Sequence, residues 1–140
     1  MTAKPRILLT GAAGRVGTAL WRGWEAQDRF DLTLTDRRPI EAARSPSEIG
    51  EIGDYAFVEK ICADQDVLVH LAYISAANVG KDTLDLTDIG VSMRLFHRAH
   101  AAGITKIVLA STNHVTGWNE HLSDPPTFST ADQIMPDGWY

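Results

Sequence analysis

Three glycines and one acid carry the plainest chemical signal in this chain. Gly11, Gly14 and Gly17 follow the apolar run Ile7-Leu8-Leu9 at three-residue intervals, which reads as a strand, a tight turn and a helix N-terminus shaped to hold a phosphate. Gly11 lets the backbone leave the strand through a turn that a Cβ would obstruct. Gly14 lets the main chain reach a pyrophosphate at contact distance, and Gly17 lets the helix pack closely on the strand. The unpaired N–H groups of the first helical turn, backed by the positive end of the helix dipole, then face the anion. No lysine is needed for this, and none stands between Ile7 and Gly17.

The acid is Asp36, which ends the alternating run Asp31-Leu32-Thr33-Leu34-Thr35-Asp36, 19 residues beyond Gly17. A carboxylate there can accept both hydroxyl protons of an adenosine ribose and repels a 2′-phosphate, so it favours NAD. Arg37 and Arg38 follow at once. An arginine in that place is how many sites hold the 2′-phosphate of NADP, and this alternative stays open.

Other reactive side chains read as structural. Cys62 is the single cysteine, so no internal disulfide forms, and it suits a small buried hydrophobe on a helix. His97 and His100 stand three apart without a carboxylate or third ligand at sensible spacing, so no metal site is expected. A net charge of −5 and a pI near 5.4 offer no basic face for nucleic acid or an anionic membrane. No stretch has the length of a membrane span and no cleavage-like site follows Lys4 and Arg6, which implies a cytoplasmic protein.

The elements that must position these residues alternate along the 140 residues. A helix is expected from about Gly14 to Gln27, with Val16, Leu20 and Trp24 facing the sheet and Arg15, Arg22 and Asp28 outside. Pro39 to Ser47 reads as a loop, with a faint third strand at Glu48-Ile49-Gly50 and a short amphipathic helix from Tyr55 to Cys62. Asp66 to Ala72 is the clearest buried strand, and the loop beyond it, Tyr73 to Lys81, lies where ligands sit in open α/β sheets. A long helix, about Leu84 to Ala102, carries Leu86, Ile89, Met93, Phe96 and His100 as its apolar stripe and closes at Gly103. Lys106 to Ala110 is the last strand, and from Ser111 onward a polar loop is expected. The pattern predicts one α/β domain spanning 1–140, a doubly wound parallel sheet.

With these motifs in place, the chain resembles the extended short-chain dehydrogenases/reductases, the NAD-dependent epimerase/dehydratase family, over its whole length. The glycine spacing matches, His70-Leu71-Ala72 is similar to the family's segment after the fourth strand, and Ser111 to Gly117 resembles the segment bearing the catalytic serine or threonine. Pro136-Asp137-Gly138-Trp139-Tyr140 resembles the approach to a Tyr-x-x-x-Lys motif. Within the group, Ile74-Ser75, Ser111-Thr112-Asn113-His114 and the Pro-Asp-Gly-x-Tyr ending are most similar to uronate dehydrogenases, with nucleotide-sugar epimerases as the alternative.

The resemblance implies a Rossmann fold and NAD as cofactor, with a hexuronic acid oxidised at C1 to a lactone. Gly11, Gly14, Arg15, Val16 and Gly17 would line the pyrophosphate, Asp36 and Arg37 the adenosine ribose, Glu51 and Ile52 the adenine. Leu71, Ala72 and Tyr73 would run beside the cofactor. Thr112 would hydrogen-bond the reacting hydroxyl and Tyr140 would act as the base, while Ser75, Asn113 and His114 would hold the sugar acid. The lysine of the motif would fall four residues past Tyr140, outside this sequence. The chain is therefore expected to be the cofactor half of a longer enzyme, dimeric or larger when intact, or by itself an NAD-binding fragment without turnover.

Overall fold

The computed structural model describes residues 3–73, 87–122, 124, 127 and 129–137, with the side chains of residues 87 and 88 left aside. Contacts divide the chain into two units, one of Met1–Ser75 with Asp85–Leu109 and the other of Ala76–Leu84 with Ala110–Tyr140.

The first unit holds the sheet. Strands β1 (Arg6–Thr10), β2 (Asp31–Asp36), β3 (Ser47–Ile49), β4 (Val67–His70) and β5 (Lys106–Leu109) pair in parallel in the order β3-β2-β1-β4-β5. β1 is flanked by β2 and β4, with Leu8 opposite Thr33 on one side and Leu68 on the other. The strand order therefore reverses at β1, and the crevice above its carboxyl end is where open sheets of this kind bind ligands.

Side-chain alternation divides the core between the two faces of the sheet. Ile7, Leu9, Leu32, Leu34 and Val69 pack with Trp21 of helix α1 (Arg15–Gln27). Leu8 and Leu68 pack on the other face with Val58, Ile61 and Cys62 of α2 (Tyr55–Cys62) and Leu95 and Ala99 of α3 (Thr87–Ala101). Asp54 caps α2, its Oδ1 accepting from the N–H groups of Ala56 and Phe57; α3 gives way at Gly103 in a left-handed turn, φ 91°.

Two predicted faces are displaced. Val16 is 62% exposed and does not face the sheet, while Gly17 and Trp21 are buried. Helix α1 approaches so closely that the contact line runs through the residue without a Cβ, which turns Val16 outward by one helical step. On α3, Ile89 and Met93 are exposed at 58% and 61%, His100 is exposed as well, and the buried positions are Leu95 and Ala99. That face meets the polar end of β4, where Ser92 Oγ lies 3.0 Å from His70 Nε2 and the ring of Phe96, which keeps its expected place on the core, stands edge-on to the imidazole at 5.4 Å. Leu86 lies outside the described residues.

In the second unit, the segment expected to be loop forms 3-10 turns over Asn113–His121, kinked at Thr116. Met135 N–H donates to Val115 O at 3.0 Å, and Trp118 N–H to Met135 O at 3.1 Å. These bonds supply the turns with partners from a distant stretch, which local sequence does not announce. No described helix is long and apolar enough to cross a membrane.

Candidate functional site

The glycine turn is built from the end of β1 and the start of α1. Gly11 has φ 73°, and a Cβ on it would stand 2.7 Å from Ala72 N and Leu71 C. Both the left-handed backbone and the close approach of β4's exit require glycine here. A Cβ on Gly14 would lie 3.1 Å from Gly11 O, and one on Gly17 would strike the same carbonyl. Ala12 is held from inside: its N–H donates to Thr35 O at 3.1 Å, and its carbonyl accepts from Trp21 Nε1 at 3.1 Å and Thr18 Oγ1 at 3.3 Å. No side chain caps α1 at Gly14, so the first-turn amides of Arg15, Val16 and Gly17 keep their donor capacity for an anion.

Asp36 reaches back to this turn. Its side chain is only 9% exposed; Oδ2 accepts from Ala13 N–H at 3.0 Å and Oδ1 from Arg38 N–H at 3.0 Å. A carboxylate has about four acceptor positions, so two remain for the hydroxyls of a ribose. Arg38 Nη2 in turn donates to Ala13 O at 3.0 Å.

A cleft of about 250 Å³ opens at the carboxyl ends of the strands, within the first unit. Its lining brings together Gly11 and Gly14, Asp36 and Arg37, Glu51 and Ile52, and Leu71, Ala72 and Tyr73. Arg15, Val16 and Gly17 stand in the first turn of α1 and are not part of that lining. Thr35, Arg38, Gly53 and Val91 line it as well. Thr35 Oγ1 is buried without a hydrogen-bond partner among the described residues, an orphan beside the cleft that a polar ligand atom or water would satisfy. A glycine cradle, a carboxylate with spare acceptor positions and this hydroxyl fit a dinucleotide. A larger open groove, about 1120 Å³, lies at the amino ends of the strands. Its two arginines are both engaged, Arg6 with Asp66 at 2.8 Å and Arg44 with Glu25 at 3.4 Å, so it presents no comparable set of free donors. Arg6 holds Asp66 down to a pKa of about 2.

His70 is buried below the cleft. Its Nδ1 lies 2.7 Å from Thr10 Oγ1 and its Nε2 lies 3.0 Å from Ser92 Oγ. Thr10 Oγ1 also accepts from Ala72 N–H at 3.4 Å. The threonine proton is then free to go to Nδ1, which leaves Nε2–H to donate to Ser92. Burial lowers the imidazole pKa to about 4, so His70 is neutral near pH 7. Cys62 is fully buried, and burial raises its thiol to about 11, which keeps it from acting as a thiolate.

The second unit carries Thr112, Asn113 and His114. Thr112 Oγ1 caps the 3-10 turns by accepting from His114 N–H at 3.3 Å. His114 Nδ1 lies 2.8 Å from Asp137 Oδ1; the carboxylate only accepts, so Nδ1 carries the proton. Gly117 makes room for this pair, since a Cβ on it would collide with the Asp137 carboxylate. Ser75 and Tyr140 lie outside the described residues. Among the described residues no three His, Cys, Asp or Glu side chains are grouped to hold a metal ion. Trp21, Thr35 and Asp137 carry no motif that marks them as site residues; for Asp137 the Pro-Asp-Gly run is the one local signal.

Comparison with known proteins follows the same lines. The chain is 30% identical to a uronate dehydrogenase of Pseudomonas putida over 123 residues, 84% of this chain and 45% of that protein. It is 28% identical to an NAD-dependent glucose-6-phosphate dehydrogenase of Haloferax volcanii, over 86% of this chain and 48% of the relative. A solved uronate dehydrogenase from Agrobacterium tumefaciens, a tyrosine-to-alanine variant complexed with NAD, superposes with a TM-score of 0.66 at 32% identity, covering 81% of this chain and 43% of that one. The chain thus spans about half the length of the curated relatives it matches. The profile of the NAD dependent epimerase/dehydratase family matches residues 7–137, and the chain belongs to that family.

Proposed function

We propose that this chain is the cofactor-binding part of an NAD-dependent dehydrogenase that oxidises the C1 hydroxyl of a hexuronic acid to a lactone in the cytoplasm. The observation that carries the cofactor half is Asp36, nearly buried at the end of β2 and bonded to the glycine turn. Two of its acceptor positions hold the turn, and the two that remain suit a 2′,3′-diol. The substrate half rests on the Ser111-Thr112-Asn113-His114 segment, with support from the similarity to uronate dehydrogenases.

NAD, when bound, supplies the hydride acceptor. Thr112 would donate or accept at the reacting hydroxyl, Tyr140 would take the hydroxyl proton as the C1–H bond breaks, and C1 would become the lactone carbonyl. Ser75, Asn113 and His114 would hold the sugar hydroxyls or the carboxylate. A phenol with a pKa of about 10 is nearly all protonated at neutral pH, so Tyr140 needs a cation beside it. The lysine of the Tyr-x-x-x-Lys motif, four residues on, would supply it. The polypeptide that includes this lysine would be the active enzyme, dimeric or larger.

Calorimetric titration of the purified chain with NAD tests the first half. Appearance of NADH with glucuronate, galacturonate or glucose 6-phosphate, catalysed by the lysine-bearing polypeptide, tests the second. Binding of NAD and oxidation of a uronate are expected. Absence of NAD binding would overturn the cofactor assignment, and turnover of glucose 6-phosphate alone would overturn the uronate.

A further inference from the structure

Two arginines follow Asp36, and the structure gives them different surroundings. Arg37 is exposed at the cleft and makes no hydrogen bond or ion pair among the described residues. Arg38 is engaged three times. Its backbone N–H donates to Asp36 Oδ1 at 3.0 Å, its Nη2 donates to Ala13 O at 3.0 Å, and its Nε lies 3.5 Å from Asp36 Oδ1. Ala13 N–H closes the ring by donating to Asp36 Oδ2 at 3.0 Å. The two peptide planes on either side of Ala13 are thus fixed from outside the turn, one by the carboxylate and one by the guanidinium. The second plane is also tied from within, because Gly14 N–H donates to Gly11 O at 3.0 Å.

We propose that Arg38 is a positioning residue for the dinucleotide: it sets the Ala13 peptide of the glycine turn, and the Asp36 carboxylate with it, instead of offering its charge to a 2′-phosphate. The inference rests on the NAD reading of the cleft. A rigid fork is suited to this task, since one guanidinium spans a carboxylate and a carbonyl at once, which a single ammonium cannot do with the same geometry. A turn held in its binding shape before the ligand arrives loses less freedom on binding. With Arg38 committed to the turn and Asp36 facing the ribose, the arginine pair does not mark a preference for NADP.

Arg38→Ala and Arg38→Lys test this in the chain as it stands, with NAD and NADP titrated separately by calorimetry. Amide exchange at Ala13 and Gly14 is followed in the ligand-free protein, alongside thermal melting. Arg38→Ala is expected to raise both dissociation constants by about tenfold, the loss typical of a charge-assisted hydrogen bond on the surface. Their ratio should stay within about twofold, the two amides should exchange faster, and the melting temperature should hold, because the Arg38 side chain is 62% exposed. Arg38→Lys should recover only part of the loss. Selective weakening of NADP would make Arg38 a phosphate reader and overturn the proposal. So would full rescue by lysine, unchanged dissociation constants, or a fall in melting temperature that accounts for the lost affinity. If the parent protein binds neither dinucleotide, the NAD reading fails on its own. The exchange rates then still decide whether Arg38 holds the turn.

Discussion

At the scale of single residues, the glycines separate into those the turn requires and one the helix only tolerates. A Cβ on Gly11 would meet the backbone of Leu71 and Ala72 at a left-handed φ of 73°, and neither backbone can move without disturbing the end of β4. Gly11→Ala is therefore expected to cost about 2–4 kcal/mol in urea unfolding and to abolish NAD binding. Gly23, in the middle of α1, has open space within 4 Å of the same position. Alanine there relieves a helix-interior glycine, and Gly23→Ala should stabilise the protein by about 0.5–1 kcal/mol with NAD affinity unchanged. The contrast also marks what sequence makes legible at this scale. Spacing alone separates Gly11, Gly14 and Gly17 from Gly23, because only the three fall in one strand-turn-helix register with Asp36 downstream. It cannot assign Arg37 and Arg38 different tasks, since that division arises from how the turn folds back onto the end of β2.

At the scale of elements, β1, β4 and α3 are joined by a buried polar chain from Thr10 through His70 to Ser92. The long helix is legible as a helix, and Phe96 of its expected stripe packs on the core beside His70, but Ile89, Met93 and His100 are exposed and Leu95 and Ala99 take the buried positions. Hydrophobic periodicity does not register Ser92 as the partner of a buried histidine. The ends of β4 behaved similarly: the apolar run reads as far as Ala72, yet pairing stops at His70, where the chain turns away to line the cleft. The burial of His70 also makes stability depend on pH. In the folded protein His70 titrates at about 4, against 6.5 for the free side chain. Between those values the unfolded chain binds a proton that the native one excludes, so stability is fully present above about pH 6.5 and falls as pH drops toward 4. The contribution is on the order of 3 kcal/mol. Urea unfolding between pH 7 and pH 4.5 should show this slope, and His70→Asn, though less stable at pH 7, should flatten it. An equal slope in the variant would place the effect elsewhere.

At the scale of the whole chain, the feature that follows most directly from physical chemistry is β5. Ile107, Val108 and Leu109 are 40%, 44% and 56% exposed, and β5 pairs only with β4 among the described strands. Three consecutive apolar residues point to both faces of the sheet, which is the pattern of a strand buried on both sides rather than of an edge. An edge of this kind, with unpaired backbone groups and no charge along its last three residues, invites pairing with another chain. The 140-residue polypeptide by itself should therefore self-associate at micromolar concentration in sedimentation velocity, with the associated fraction rising on dilution from urea. Val108→Lys places a charge on the exposed strand, 44% open to solvent, without removing any buried side chain. It should return the protein to a monomer while its melting temperature holds. Association that persists in Val108→Lys would locate the contact on another surface, with the exposed Ile89 and Met93 side of α3 the next place to introduce a charge.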